Sequence, residues 1–163
     1  MPTVRAHRQP ALGKLSPPRL GRVFGREHLF ARIDASAAAP GLWVAWPTGI
    51  GKTTLVATWL HERSIPCLWL QLDAGGADPA TFGHFLRAAA ARLAARRPLR
   101  VPLPGADDLR DVPGFIRRCF RRLALALDRP WVLVLDNAQE LGSTPLLHAG
   151  IAAALADRPT GCA

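Results

Sequence analysis

An α/β fold, a mainly parallel sheet flanked by helices, is what the order of apolar segments predicts. Two observations carry it. Three short apolar runs, LWVAW, PCLWLQLD and WVLVLD, alternate with stretches of helical spacing. The first run leads through a glycine-rich turn into a helix-forming stretch, PTGIGKTTLVATWL, the order a β–turn–α unit takes in a parallel sheet. With 163 residues and 49% hydrophobic content, the chain is long enough for one domain with a real core, and disorder is not the default.

Residues 1–20 read as an irregular, basic, Pro-rich lead-in, and residues 21–163 as the folding part. GREHLFARIDASAAA has helical spacing through Leu29, Phe30 and Ile33, and Pro40-Gly41 ends it. LWVAW is then a strand candidate. KTTLVATWLHER follows the glycines as a helix with Leu55, Val56, Trp59 and Leu60 on one face. PCLWLQLD is a second strand ending in Asp73, and DPATFGHFLRAAAARLAARR a long helix with Asp78 as N-cap and Pro79 in the first turn. PLRVPLPGADDLRDVPG reads as a loop, the stretch to about Leu127 as an Arg-bearing helix, and Pro145 to Asp157 as a last short helix. WVLVLD is apolar throughout, as a strand covered on both faces should be.

Composition narrows the function classes. No apolar run reaches the ~18–20 residues of a membrane span, and the N-terminus has no secretory apolar core. Cys67, Cys119 and Cys162 lack metal-ligand spacing and read as thiols in a reducing cytoplasm. The net charge of +9 raises the question of nucleic acid. Arg87, Arg92, Arg96, Arg97 and Arg100 follow one predicted helix, and Arg117, Arg118, Arg121 and Arg122 lie opposite the apolar face of another. That is the pattern of solvated helix faces. His61, His84 and His148 read as solvent-facing or structural, and Trp43, Trp59, Trp69 and Trp131 as core.

The chemistry lies in WPTGIGKTT, residues 46–54. A phosphate-binding loop is G-x-x-x-x-G-K-[ST]; Trp46 stands where the first glycine belongs. Gly49 and Gly51 permit backbone conformations that a Cβ obstructs. Backbone N–H groups at a helix start cradle phosphate, Lys52 reaches the β- and γ-phosphates, Thr53 is a Mg²⁺ ligand and Thr54 adds a hydroxyl. Of 21 basic residues only Lys14 and Lys52 are lysine, so the loop lysine stands out against an arginine background. Asp136, at the end of WVLVLD, is placed to hold Mg²⁺ beside the phosphates. Asn137 follows, where hydrolysis commonly employs an acid, and asparagine is no base. Glu140 is the nearest carboxylate that could serve instead.

PPRLGRVFGREHLFARID, WPTGIGKTTLVATWL, CLWLQLDAGGADPATFGHFLRAAAARL and WVLVLDNAQEL together resemble the N-terminal ATPase domain of MalT-like regulators. These are P-loop NTPases of the STAND class, commonly with a LuxR-type DNA-binding domain at the far C-terminus. The likeness runs from about Leu15 to Leu155. It implies ATP and Mg²⁺ as ligands, with Gly49, Ile50, Gly51, Lys52, Thr53 and Thr54 on the nucleotide and Thr53 and Asp136 on the metal. It also implies Arg26, in GRE, near the adenine or the hinge. The family's loop reads A-P-A-G-x-G-K-T-T-L, so position 46 needs no glycine, although Trp is far bulkier than Ala. The family often has a second acid where Asn137 stands, which sets hydrolysis behind binding.

The likeness further implies a partial P-loop NTPase domain over 21–163, cut short after the Asp136 strand and its following helix. Two strands, the helical sensor region and the DNA-binding domain are missing from the expected pattern. The first strand would then lack sheet neighbours and the chain would be marginally stable alone. Three functions follow in order. The first is an ATP-binding switch module, with self-association or other regulator domains as partners and weak or no hydrolysis. The second is an active ATPase using Glu140 or a partner's residue. The third is a remnant whose basic helices bind nucleic acid non-specifically.

Overall fold

Strands β1 (Cys67–Gln71) and β2 (Val132–Asp136) pair in parallel, Cys67 opposite Val132 and Gln71 opposite Asp136. The ladder runs on at both ends, from the Val132 N–H to the Pro66 carbonyl and from the Leu72 N–H to the Asp136 carbonyl. The computed structural model describes residues 12–21, 26–36, 39, 41–45, 47, 49–73, 75, 78–93, 101–126 and 131–157. Around the sheet lie α1 (Glu27–Ala35), α2 (Lys52–Glu62), α3 (Pro79–Leu93), α4 (Ala106–Arg110), α5 (Val112–Ala126) and α6 (Pro145–Ala156). Two 3-10 turns, Leu12–Leu15 and Ala138–Ser143, complete the described elements. The chain is thus mixed α/β with a two-stranded parallel sheet.

Alternation along β1 splits the core in two. Leu68 and Leu70 point into a cluster with Phe82 and Leu86 of α3, Phe115 and Ile116 of α5 and Leu147 of α6. Trp69 points the other way, into a cluster with Phe30 of α1 and Leu55, Trp59 and Leu60 of α2. β2 repeats the pattern, Leu133 and Leu135 toward the first cluster and Val132 and Val134 toward the second. Helices therefore pack on both faces of β1, whose central residues Leu68, Trp69 and Leu70 are buried.

Local signals set the helix ends. Asp78 caps α3 by accepting from the Thr81 N–H at 2.9 Å, with Pro79 first in the helix. Asp111 caps α5 through the Gly114 N–H at 3.0 Å. α2 ends in a Schellman turn: the Ser64 N–H bonds the His61 carbonyl and the Ile65 N–H the Leu60 carbonyl, with Ser64 left-handed at φ 51. Behind β2, α5 and α6 approach closely at Gly150, where a Cβ would meet Ile116 Cβ at 3.0 Å and Pro113 Cα at 3.1 Å.

Five sequence expectations need correction. LWVAW was expected to be a strand, but its described residues, 42–45, run without a ladder, and the described sheet consists of β1 and β2. Trp43, expected in the core, is 66% exposed. The loop expected over PLRVPLPGADDLRDVPG contains α4, and its end, Val112–Gly114, is the first turn of α5. β2, expected to be covered, leaves each of its residues half-buried, because β1 occupies only one of its edges. The lead-in, expected to be irregular, forms the 3-10 turn at Leu12–Leu15. There Leu15 is buried against the first cluster and Lys14 is ion-paired with Asp73. Arg96, Arg97, Arg100, Leu127 and Cys162 lie outside the described residues.

Candidate functional site

The start of α2 is built by its two glycines. Gly49 and Gly51 have φ of 89 and 83, a region that L side chains enter only with strain. Gly51 is the N-cap of α2 and no side chain caps this helix. A helix start of this kind favours an anion through its dipole and its N–H groups. A Cβ at Gly49 would meet nothing within 4 Å, so the glycine there serves backbone conformation rather than space.

β2 brings the second half. Thr53, on the first turn of α2, donates its hydroxyl to Asp136 Oδ1 at 2.9 Å, across 83 positions of sequence. Both residues are half-buried. They line one cleft with Gly49, Gly51 and Lys52. Lys52 Nζ lies 3.1 Å from the Pro47 carbonyl, folded back on its own loop. A hydroxyl and a carboxylate in contact at a helix start are hard oxygen donors of the type Mg²⁺ takes, so the residues present fit that ion. Among the described residues no group of three or more His, Cys, Asp or Glu side chains forms a self-sufficient metal cage.

Asn137 comes next, left-handed at φ 60 and ψ 40, with Nδ2 at 3.4 Å from the Leu72 carbonyl. Asparagine, like aspartate and glycine, tolerates this backbone, so the geometry disfavours Glu at this position but not Asp. Glu140 sits half-buried in the following 3-10 turn and does not line the cleft. Thr54 is half-buried, its carbonyl accepting from the Thr58 hydroxyl at 2.7 Å, and Ile50 is 45% exposed at the tip of the turn. Neither lines the cleft. Trp46 lies outside the described residues.

Arg26, expected near the adenine or the hinge, lies beside the glycine turn. It caps α1, and its Nη1 lies 3.4 Å from the Ile50 carbonyl, against the glycine turn itself. Sequence reading missed the clamp between α1 and α2. Asp34, at the far end of α1, accepts from Trp59 Nε1 and Arg63 Nη2 of the α2 side, each at 2.8 Å, while Arg63 also lies over the Phe30 ring. Hydrogen bonds from Arg63, then Trp59, hold the Asp34 carboxyl below its ordinary range. Three residues of opposite or aromatic character on two neighbouring predicted helices were the only signal for it.

The basic helix α5 is less available to a polyanion than its charge suggests. Arg117 is ion-paired with Asp157, and Arg118 with Asp108 at 2.7 Å. Cys119 is buried on the opposite face, and burial pushes its thiol up to about 12. Among the described residues no helix is long and apolar enough to cross a membrane.

Comparison with known proteins places these observations. No family model matches the chain, and no solved structure gives a significant match. Two curated proteins named HTH-type transcriptional regulator MalT do match, over 77 residues each. The one from Cronobacter sakazakii (strain ATCC BAA-894) is 35% identical, and the one from Serratia proteamaculans (strain 568) 39%. The match spans 47% of this chain and only 8% of each relative. Over about half of its length, the chain is similar in sequence to these two MalT regulators.

Proposed function

We propose that the chain is the nucleotide-binding switch of a MalT-like regulator, a P-loop element of the STAND type that takes ATP with Mg²⁺ and turns it over slowly or not at all. One observation carries the reading: the Thr53 hydroxyl on the Asp136 carboxylate at 2.9 Å, at the start of a helix preceded by two positive-φ glycines. Chance supplies a glycine turn before a helix, but a strand-end carboxylate delivered from 83 residues away to its first threonine is a further coincidence.

In this reading the N–H groups at the start of α2 bind the phosphates, joined by Lys52, which exchanges the Pro47 carbonyl for phosphate oxygens. Thr53 and Asp136 hold Mg²⁺, which neutralises phosphate charge when bound. Hydrolysis needs a group that orients or deprotonates water. Asn137 has no such proton affinity, and Glu140 does not line the cleft, so the geometry favours binding over turnover. A switch works through differential contacts with two conformations, with no need for rapid chemistry. Cytoplasmic residence and partnership with other regulator domains belong to the same proposal.

The test is titration of a fluorescent ATP analogue with Mg²⁺ against wild type and Lys52→Ala. Saturable binding in wild type, lost in a variant with unchanged circular dichroism, is expected. A folded wild type that takes up no analogue overturns the reading.

A further inference from the structure

We propose that Gln139 holds the water that attacks the terminal phosphate, and so supplies the slow turnover open to a site without a base. The inference rests on the nucleotide reading above and names the residue on which its hydrolytic branch depends. Its ground is the 3-10 turn that follows β2. Gln139 lines the cleft together with Lys52, Thr53 and Asp136, whereas Glu140, the next residue, does not.

The geometry of the turn makes that choice. A 3-10 helix has three residues per turn, so side chains three apart share a face. Ala138 and Leu141 are such a pair, and both pack against the first cluster, Leu141 being 2% exposed. Gln139 and Glu140 therefore occupy the two remaining faces, about 120° apart. Gln139 has the face toward the cleft and is exposed; Glu140 has the other and is half-buried. Asn137, left-handed at φ 60, joins this turn to the end of β2, and the Glu140 N–H closes it on the Asn137 carbonyl at 3.0 Å.

The side chain suits the place. An amide both donates and accepts. Nε2 donates to an oxygen of the terminal phosphate while Oε1 accepts from a water molecule, which lines that water up with the phosphorus. Being neutral, Gln139 brings no second negative charge to Asp136 and the phosphates, as a glutamate there would. It takes no proton, so the step closes without a protein base. The water oxygen bonds to the γ-phosphorus, the bond from that phosphorus to the β–γ bridging oxygen breaks, and ADP leaves with the electron pair. One proton of the water passes to a γ-phosphate oxygen. Positioning without a base gives up the further acceleration of general base catalysis, which keeps the chemistry slow.

The experiment reads single-turnover hydrolysis of ATP with Mg²⁺, beside affinity for the fluorescent ATP analogue, in the full chain as wild type, Gln139→Ala, Gln139→Asn and Glu140→Gln. Gln139→Ala is expected to slow hydrolysis by about tenfold or more, the scale of a misplaced reactant, with analogue affinity and circular dichroism unchanged. Gln139→Asn keeps the amide but draws it back, falls between, and decides the matter if the alanine variant does not fold. Unchanged hydrolysis in Gln139→Ala overturns the proposal. A larger loss in Glu140→Gln than in Gln139→Ala returns the role to the carboxylate and overturns it too. So does a wild type that binds the analogue yet hydrolyses ATP no faster than buffer. In all three cases the nucleotide reading stands. A folded wild type that takes up no analogue overturns both.

Discussion

Replacement of Asn137 tests whether backbone geometry decides the residue after Asp136. Asn137 holds φ 60 and ψ 40, is exposed, and makes one long bond to the Leu72 carbonyl at 3.4 Å. Left-handed backbone costs an ordinary L-residue about 1–2 kcal/mol, less for asparagine and nothing for glycine. The long bond is worth at most about 0.5 kcal/mol on the scale of normal ones. Asn137→Ala loses both and should destabilise by roughly 1–2 kcal/mol, or about 2–8 °C at ~2–4 °C per kcal/mol for a chain of this size. Asn137→Gly loses the bond and gains backbone ease, leaving it within about 0.5 kcal/mol of wild type. Thermal unfolding followed by circular dichroism should therefore rank Asn and Gly together and Ala below them. Alanine equal to or above glycine refutes the reasoning and reopens a side-chain role for Asn137.

Ser64 is the other non-glycine residue at positive φ, and Ser64→Gly should stabilise by about 0.5–1 kcal/mol, read as a rise in melting temperature. Gly150→Val pushes a branched side chain into Ile116 and the Pro113 backbone and should cost about 2–3 kcal/mol in urea unfolding. Ala149→Val, one residue away on the exposed side of α6, should cost about 0.5 kcal/mol or less, the helix-propensity difference alone. Asp34 has its carboxyl held below 3.8 when folded, so its stabilisation is full above that pH and fades as pH falls through the lowered value. Melting temperatures between pH 5 and 2.5 should drop less steeply in Asp34→Asn than in wild type.

What could be read in advance divides by the range of the interactions. Helices α1, α2, α3, α5 and α6 and strands β1 and β2 were legible because caps, glycines and apolar spacing are local. LWVAW carries the composition of a strand, yet a strand exists only with a partner, and partnership is decided elsewhere in the chain. The same non-local fact left β2 half-buried and Trp43 in solvent, though both are apolar by composition. α4 was hidden because Pro and Gly surround ADDLR, and Asp108 closing on the Gly105 N–H at 2.9 Å suffices for a short helix. At the site, the pairing of Thr53 with Asp136 followed from motif order. The position of Arg26 at the glycine turn did not, since its contact with the Ile50 carbonyl spans 24 positions of sequence.

The split core also predicts how the molecule comes apart. Trp59 and Trp69 belong to the cluster of α1 and α2, whereas Trp131 packs against the other cluster. Emission from those two rings therefore follows one half of the protein, while helical signal at 222 nm is dominated by the other. The halves meet along only two five-residue strands, a narrow seam for a cooperative unit. Thr53 lies on the first side of the seam and Asp136 on the seam itself, so a ligand held by both braces two regions that can open separately. Slowed amide exchange in α2 is where the arrival of such a ligand would register first.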